Sequence, residues 1–183
     1  MPRKIRFFVV LLGVLLGAFL LHRNGRQPME KSRFLFGTLI RITAYGPNAS
    51  VGIEQAFNEM ERIHRLTAQN QGMVALINDE AGHKPVPVGE EFFSLLQKIF
   101  RMAERTGGYF NPVIGPLVEL WDFDYEGKGR VPSPGEIRSV LPLTQRKQAV
   151  LDEEGQTVFL KQAGMKMDLS GVAKGYAVDR AWA

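Results

Sequence analysis

Residues 7–21, FFVVLLGVLLGAFLL, are apolar on every side, and no other part of the chain is. Beyond them the pattern changes to short periodic runs divided by polar, Gly- and Pro-bearing joints. HRNGRQPMEKS (22–32) reads as a tether. RFLFGTLIRITAY (33–45) alternates and is rich in β-branched and aromatic residues, which predicts one strand with Gly37 as a bulge or close backbone approach. Residues 51–66 set Val51, Ile53, Phe57, Met60, Ile63 and Leu66 on one helical face, and 90–106 do the same with Phe92, Leu95, Leu96, Ile99 and Met102 before Gly107 stops the helix. Between them MVALIND is a short apolar piece and EAGHKPVPVG an extended loop. Residues 107–136 read as loop-rich and carry much of the aromatic content. Residues 133–142 read as a short helix capped by Ser133, with Pro134 at its first position. QAVLD, TVFLK and MKMDLS are expected as three short strands at hairpin spacing, followed by a helix from about Gly171. Two long helices against several strands, without βαβ alternation, predict an α+β fold with a largely antiparallel sheet packed by helices.

Charge sharpens the division at the N-terminus. Residues 1–33 carry seven Lys/Arg and one acid, Glu30, a net +6, while the rest is −2, so the basic balance belongs to the N-terminus and not to a nucleic-acid-binding face. Arg3, Lys4 and Arg6 ahead of the apolar run suit an export signal or membrane anchor. With no A-x-A site after Leu21, an uncleaved anchor is the first reading and a cleaved signal the second. Residues 1–32 are thus signal or anchor plus tether, and 33–183 the folded domain. The absence of cysteine excludes disulfides, thiolate chemistry and a lipoprotein anchor.

The closing stretch MDLSGVAKGYAVDRAWA (167–183) holds the most chemistry. Asp168 ends an extended piece, Ser170 and Gly171 turn the chain, and a helix begins whose first N–H groups suit a phosphate, with Lys174 in its first turn. Asp168 suits a sugar hydroxyl or a place near a metal. The plainer alternative has Ser170 capping the helix and Lys174 and Asp179 solvated. The stretch is not a P-loop. WDFDYEG (Asp122, Asp124, Glu126, Gly127) mimics the opening of a calcium loop but puts Ser133 where a bidentate Glu is needed. His22, His64 and His83 have no metal spacing.

Four separated stretches resemble one family. FLFGTLIRI (34–42), ALINDEAGHKPVPV (75–88), RTGGYFNPVIGPLVELWDF (105–123) and MDLSGVAKGYAVD (167–179) are similar, in order, to blocks of the FAD:protein FMN transferases, the ApbE-like flavin transferases. The resemblance implies an extracytoplasmic protein at the cytoplasmic membrane. It implies FAD as substrate and Mg²⁺ as cofactor. It also implies transfer of FMN to a threonine hydroxyl of an acceptor flavoprotein, typically a subunit of a redox-driven ion pump, with release of AMP. Matched to the family's motifs, Asp168 and Lys174 contact FAD, Gly171 is a metal ligand through its carbonyl, Phe36 stands in a flavin-contacting position, and Tyr109, Phe110 and Asn111 line the FAD site. No catalytic residue is assigned.

Three departures accompany the match. Asn111 replaces the usual Asp, Phe36 replaces the usual Met, and an apolar segment replaces the lipid-bearing cysteine. Members of the family continue into a glycine-rich strand and an Asp/Thr segment that completes the metal site. The chain is therefore expected to be the first half of the domain, binding FAD weakly and transferring no FMN alone. The alternative is a membrane-tethered, non-catalytic flavin- or nucleotide-binding module.

Overall fold

The computed structural model describes residues 27–122 and 129–183, together with Leu12, Val14 and Leu16, which are helical and exposed. The rest of the apolar N-terminal run lies outside the described residues. Among those described, no helix is long and apolar enough to cross a membrane. The chain divides into two compact units, Met1–Glu59 and Met60–Ala183.

In the first unit, strands β1 (Met29–Leu35) and β2 (Thr38–Ala44) pair antiparallel from Met29↔Ala44 to Leu35↔Thr38. The expected single strand over 33–45 is therefore a hairpin, and residues 29–32, read as tether, are strand. Phe36 and Gly37 form the two-residue turn, at φ +50° and +70°. Two left-handed residues give a turn whose twist matches that of the strands. The pattern hid it because Phe36 is not the Asn or Asp that usually announces such a turn. A bulky side chain in this region costs roughly 1–2 kcal/mol. Helix α1 (Ala49–Thr67) begins in this unit. Lys31 and Arg33, two apart and so on one face of β1, both donate to Glu54, with Lys31 Nζ 2.6 Å from Oε1. The Lys31 hydrogen bond is the main force holding the Glu54 carboxyl below its usual range. The Arg33 guanidinium lies 4.8 Å from the Phe57 ring centroid.

The second unit holds helices α2 (Gly72–Asp79), α3 (Glu90–Arg105), α4 (Gly115–Trp121), α5 (Pro134–Val140) and α6 (Ser170–Trp182), and a sheet of order β3 (Val86–Pro87), β5 (Thr157–Leu160), β4 (Ala149–Asp152). All its pairings are antiparallel, as an α+β fold requires. Helix α3 turns Phe92, Phe93, Leu95, Leu96 and Ile99 into the core, whereas Met102, expected on that stripe, is exposed. MVALIND is α2, and the loop-rich stretch contains α4. MKMDLS is not a third strand. It runs extended into α6 and sinks Met165, Met167 and Leu169 fully into the core.

Helix α5 starts as its sequence predicts. The Ser133 hydroxyl accepts from the Glu136 backbone N–H, and Glu136 Oε2 accepts from the Ser133 N–H at 2.8 Å. That backbone bond, with help from Arg130, pulls the Glu136 carboxyl from 4.5 down to about 2. The carboxylate thus stabilises the fold above pH about 4.5, and the contribution is lost as pH falls towards about 2. Ser133→Ala should cost about 1 kcal/mol in urea unfolding at pH 7. Glu136→Gln should flatten the fall in stability over that acid range.

Candidate functional site

The site is built where the segment 165–169 enters α6. Along an extended chain, backbone groups and side chains alternate in direction. Residues 166 and 168 bond on one side: Gly115 N–H donates to the Lys166 carbonyl (3.1 Å), and Asp168 N–H donates to the Pro112 carbonyl (2.8 Å). On the other side, Met167 N–H donates to Asn78 Oδ1 (2.7 Å) and Asn78 Nδ2 donates back to the Met167 carbonyl (3.1 Å). With its odd-numbered side chains in the core, the segment carries Lys166 and Asp168 on the opposite face. Lys166 pairs with Glu119 of α4 at 2.6 Å.

Asp168 is one of two buried polar residues among those described, 7% exposed. Its Oδ1 accepts the Ser170 N–H at 2.7 Å, while no hydrogen bond among the described residues uses Oδ2. Ser170 is thus not the cap suggested above. It is the first residue of α6, Leu169 holds the N-cap position without a side-chain cap, and the Asp168 carboxylate serves the first N–H instead. Gly171 follows, exposed at the helix start. The Phe110 ring edge lies 3.6 Å from where a Cβ on Gly171 would stand, so ring and glycine form the two sides of a narrow step. Lys174, one turn on and exposed, reaches the Ser170 carbonyl only at 3.5 Å.

Asp168, Gly171, Lys174 and Phe110 are therefore brought together. Tyr109 is fully exposed beside Phe110 in the chain. The Asn111 amide is committed within the protein: Oδ1 accepts from Val113 N–H at 3.1 Å and Nδ2 donates to the Thr144 carbonyl at 2.8 Å. It shapes the loop whose Pro112 carbonyl receives Asp168. Phe36 belongs to the hairpin turn of the other unit. Asp124, Glu126 and Gly127 of the calcium-like stretch lie outside the described residues. Among the described residues no group of three or more acidic or His side chains could hold a metal. The oxygens at this site are hard donors of the kind Mg²⁺ takes, but they do not form an acidic cage.

Helix α6 is held in place farther along. Tyr176 Oη donates to Glu91 Oε1 of α3 at 3.0 Å, and Arg62 grips the same carboxylate with two bonds of 2.7 and 2.8 Å. The Arg62 hydrogen bond chiefly lowers the Glu91 pKa, and burial chiefly raises that of Tyr176. Reading the sequence alone missed Asn78, Pro112 and Gly115. An Asn in the last turn of α2, a position where its helix propensity is poor, was the available signal for the first.

These elements and the DLSGVAKG start of α6 lie within a chain of the ApbE family. The model of that family matches residues 36–183, and the chain belongs to it. Among curated relatives, the FAD:protein FMN transferase of Klebsiella pneumoniae is 36% identical over 151 residues, 81% of this chain and 47% of that protein. The one of Treponema pallidum is 31% identical, over 82% of this chain and 44% of its own. The crystal structure of the ApbE protein of Thermotoga maritima superposes with a TM-score of 0.77 at 37% identity, over 85% of this chain and 51% of that one. The chain spans about half the length of the curated relatives it matches.

Proposed function

We propose that this protein transfers FMN from FAD to a threonine hydroxyl of an acceptor flavoprotein, and that the start of α6 holds the FAD diphosphate. The observation that carries this is the set Asp168, Gly171 and Lys174 at the start of α6, with the Phe110 ring beside Gly171, inside the family-matched residues. In the reaction the hydroxyl oxygen forms a bond to the phosphorus of the FMN half. The bond from that phosphorus to the bridging oxygen breaks, AMP leaves with that oxygen, and the hydroxyl proton is released. Negative charge grows on the phosphoryl oxygens. Lys174 and the N-terminal dipole of α6 would offset it. Exposed Gly171 lets the diphosphate approach the backbone, and Asp168 Oδ2 accepts from a sugar hydroxyl. Phe110 and Tyr109 supply apolar contact to the flavin, while Asn111 holds its loop.

Mg²⁺ belongs to the same proposal. The Gly171 carbonyl would hold it with substrate oxygens and water completing the shell, and it would neutralise charge on the diphosphate. The acceptor is proposed to be a subunit of a redox-driven ion pump. The location is proposed to be the cytoplasmic membrane, with the domain on its outer side, and what supports it is the basic start and apolar run of residues 1–21.

The test is covalent flavin fluorescence on a threonine-bearing acceptor after denaturing electrophoresis, using the complete protein with FAD and Mg²⁺. A band that needs FAD and is absent with FMN is expected. FAD binding without any such band would overturn transfer and leave the tethered binding module.

A further inference from the structure

We infer that Asn78 is a positioning residue for the flavin dinucleotide, acting through Asp168; the inference rests on the reading of α6 given above. A carboxamide carries one acceptor and two donors in a plane, the same pair a peptide group presents to a neighbouring strand. Asn78 uses both kinds on one residue, taking the Met167 N–H at 2.7 Å and donating to the Met167 carbonyl at 3.1 Å. It thus substitutes for a missing strand on that side of 165–169. The other side is already held by Pro112 and Gly115.

The purchase is firm because α2 is anchored. Val74 and Ile77 are buried at 0% and 1% exposure, so the Asn78 backbone has little freedom to follow a shifting partner. The force passes along a short path. Helix α2 fixes the amide, the amide fixes the Met167 peptide, and the next residue is Asp168. The Asp168 carboxylate in turn receives the first N–H of α6. An apolar residue at position 78 would fill space but leave the Met167 peptide groups without partners on that side, and Asp168 would lose its fixed direction. Asn78 touches no reacting atom in this scheme.

A double-mutant cycle separates positioning from mere support of the fold. FAD dissociation constants are measured by flavin fluorescence for the unmodified chain, Asn78→Ala, Asp168→Ala and the double variant, with melting temperatures alongside. Each single change is expected to weaken FAD binding roughly ten-fold. The double variant should bind about as the Asp168→Ala variant does, because Asn78 has nothing left to aim. If Asn78→Ala costs the same factor with or without Asp168, or lowers the melting temperature and leaves FAD affinity alone, Asn78 only supports the fold and the inference is wrong. If Asp168→Ala itself leaves FAD affinity unchanged, the placement of the dinucleotide fails first, and the inference with it. Should Asn78→Ala not fold, Asn78→Asp keeps an acceptor for the Met167 N–H and carries the same cycle.

Discussion

Gly115→Ala should destabilise the second unit by about 1–3 kcal/mol and weaken FAD binding as well. A Cβ at position 115 would stand 2.6 Å from the Lys166 Cβ and 2.8 Å from the Lys166 carbonyl oxygen, distances that real atoms do not keep. Neither obstacle is the loose end of a side chain. Both belong to the segment that carries Asp168, and the Gly115 N–H is bonded to that same carbonyl. Relief must come from moving the first turn of α4 or the 165–169 strip, whose core residues Met165 and Met167 are fully buried. Either movement disturbs the Asp168–Pro112 bond two residues on. Urea unfolding should show a lower midpoint with an unchanged slope. FAD affinity should fall under conditions where the variant is still folded. A variant as stable as the unmodified chain would mean the strip gives way freely and does not fix the site.

Lys174→Ala should weaken FAD binding about ten- to a hundred-fold, the worth of one charge-assisted hydrogen bond to a phosphate. Stability should change by less than about 0.5 kcal/mol, as for an exposed position away from the core. The reason for the contrast is in the geometry. The ammonium is exposed and its one hydrogen bond among the described residues, to the Ser170 carbonyl, is 3.5 Å long. Little holds it to the protein, so little is lost from the fold when it goes. Binding and folding are thereby separated, which Gly115→Ala cannot do.

The long elements were legible because one signal dominates them. Phe92, Leu96 and Ile99 recur at helical spacing and are buried in α3, and the Ser133, Pro134 and Glu136 start of α5 is a local code that needs no tertiary help. Where local and tertiary signals compete, the pattern misled. Phe36 occupies a turn conformation that its side chain disfavours, so a hairpin looked like one strand. MKMDLS has strand-like alternation, yet its neighbours are a loop carbonyl, the first N–H of α4 and an asparagine side chain rather than a strand. Periodicity reports which face is buried; it does not report what satisfies the backbone.

The site shows the same limit. Asp168, Gly171 and Lys174 were readable because they lie within seven residues of one another in the chain. Asn78 lies 89 positions from Met167, and no spacing rule links them. Asn111, expected to line the FAD site, uses both ends of its amide to hold its own loop and Thr144.

The most direct measurement compares FAD with riboflavin in fluorescence titrations of the unmodified chain and of Lys174→Ala. The two ligands share the flavin ring, and only FAD has the diphosphate that α6 is held to bind. FAD should bind at least about ten-fold tighter than riboflavin, and the gap should close in the Lys174→Ala variant. Equal affinity for the two ligands, or a gap that Lys174→Ala leaves intact, would contradict the placement of the diphosphate at the start of α6.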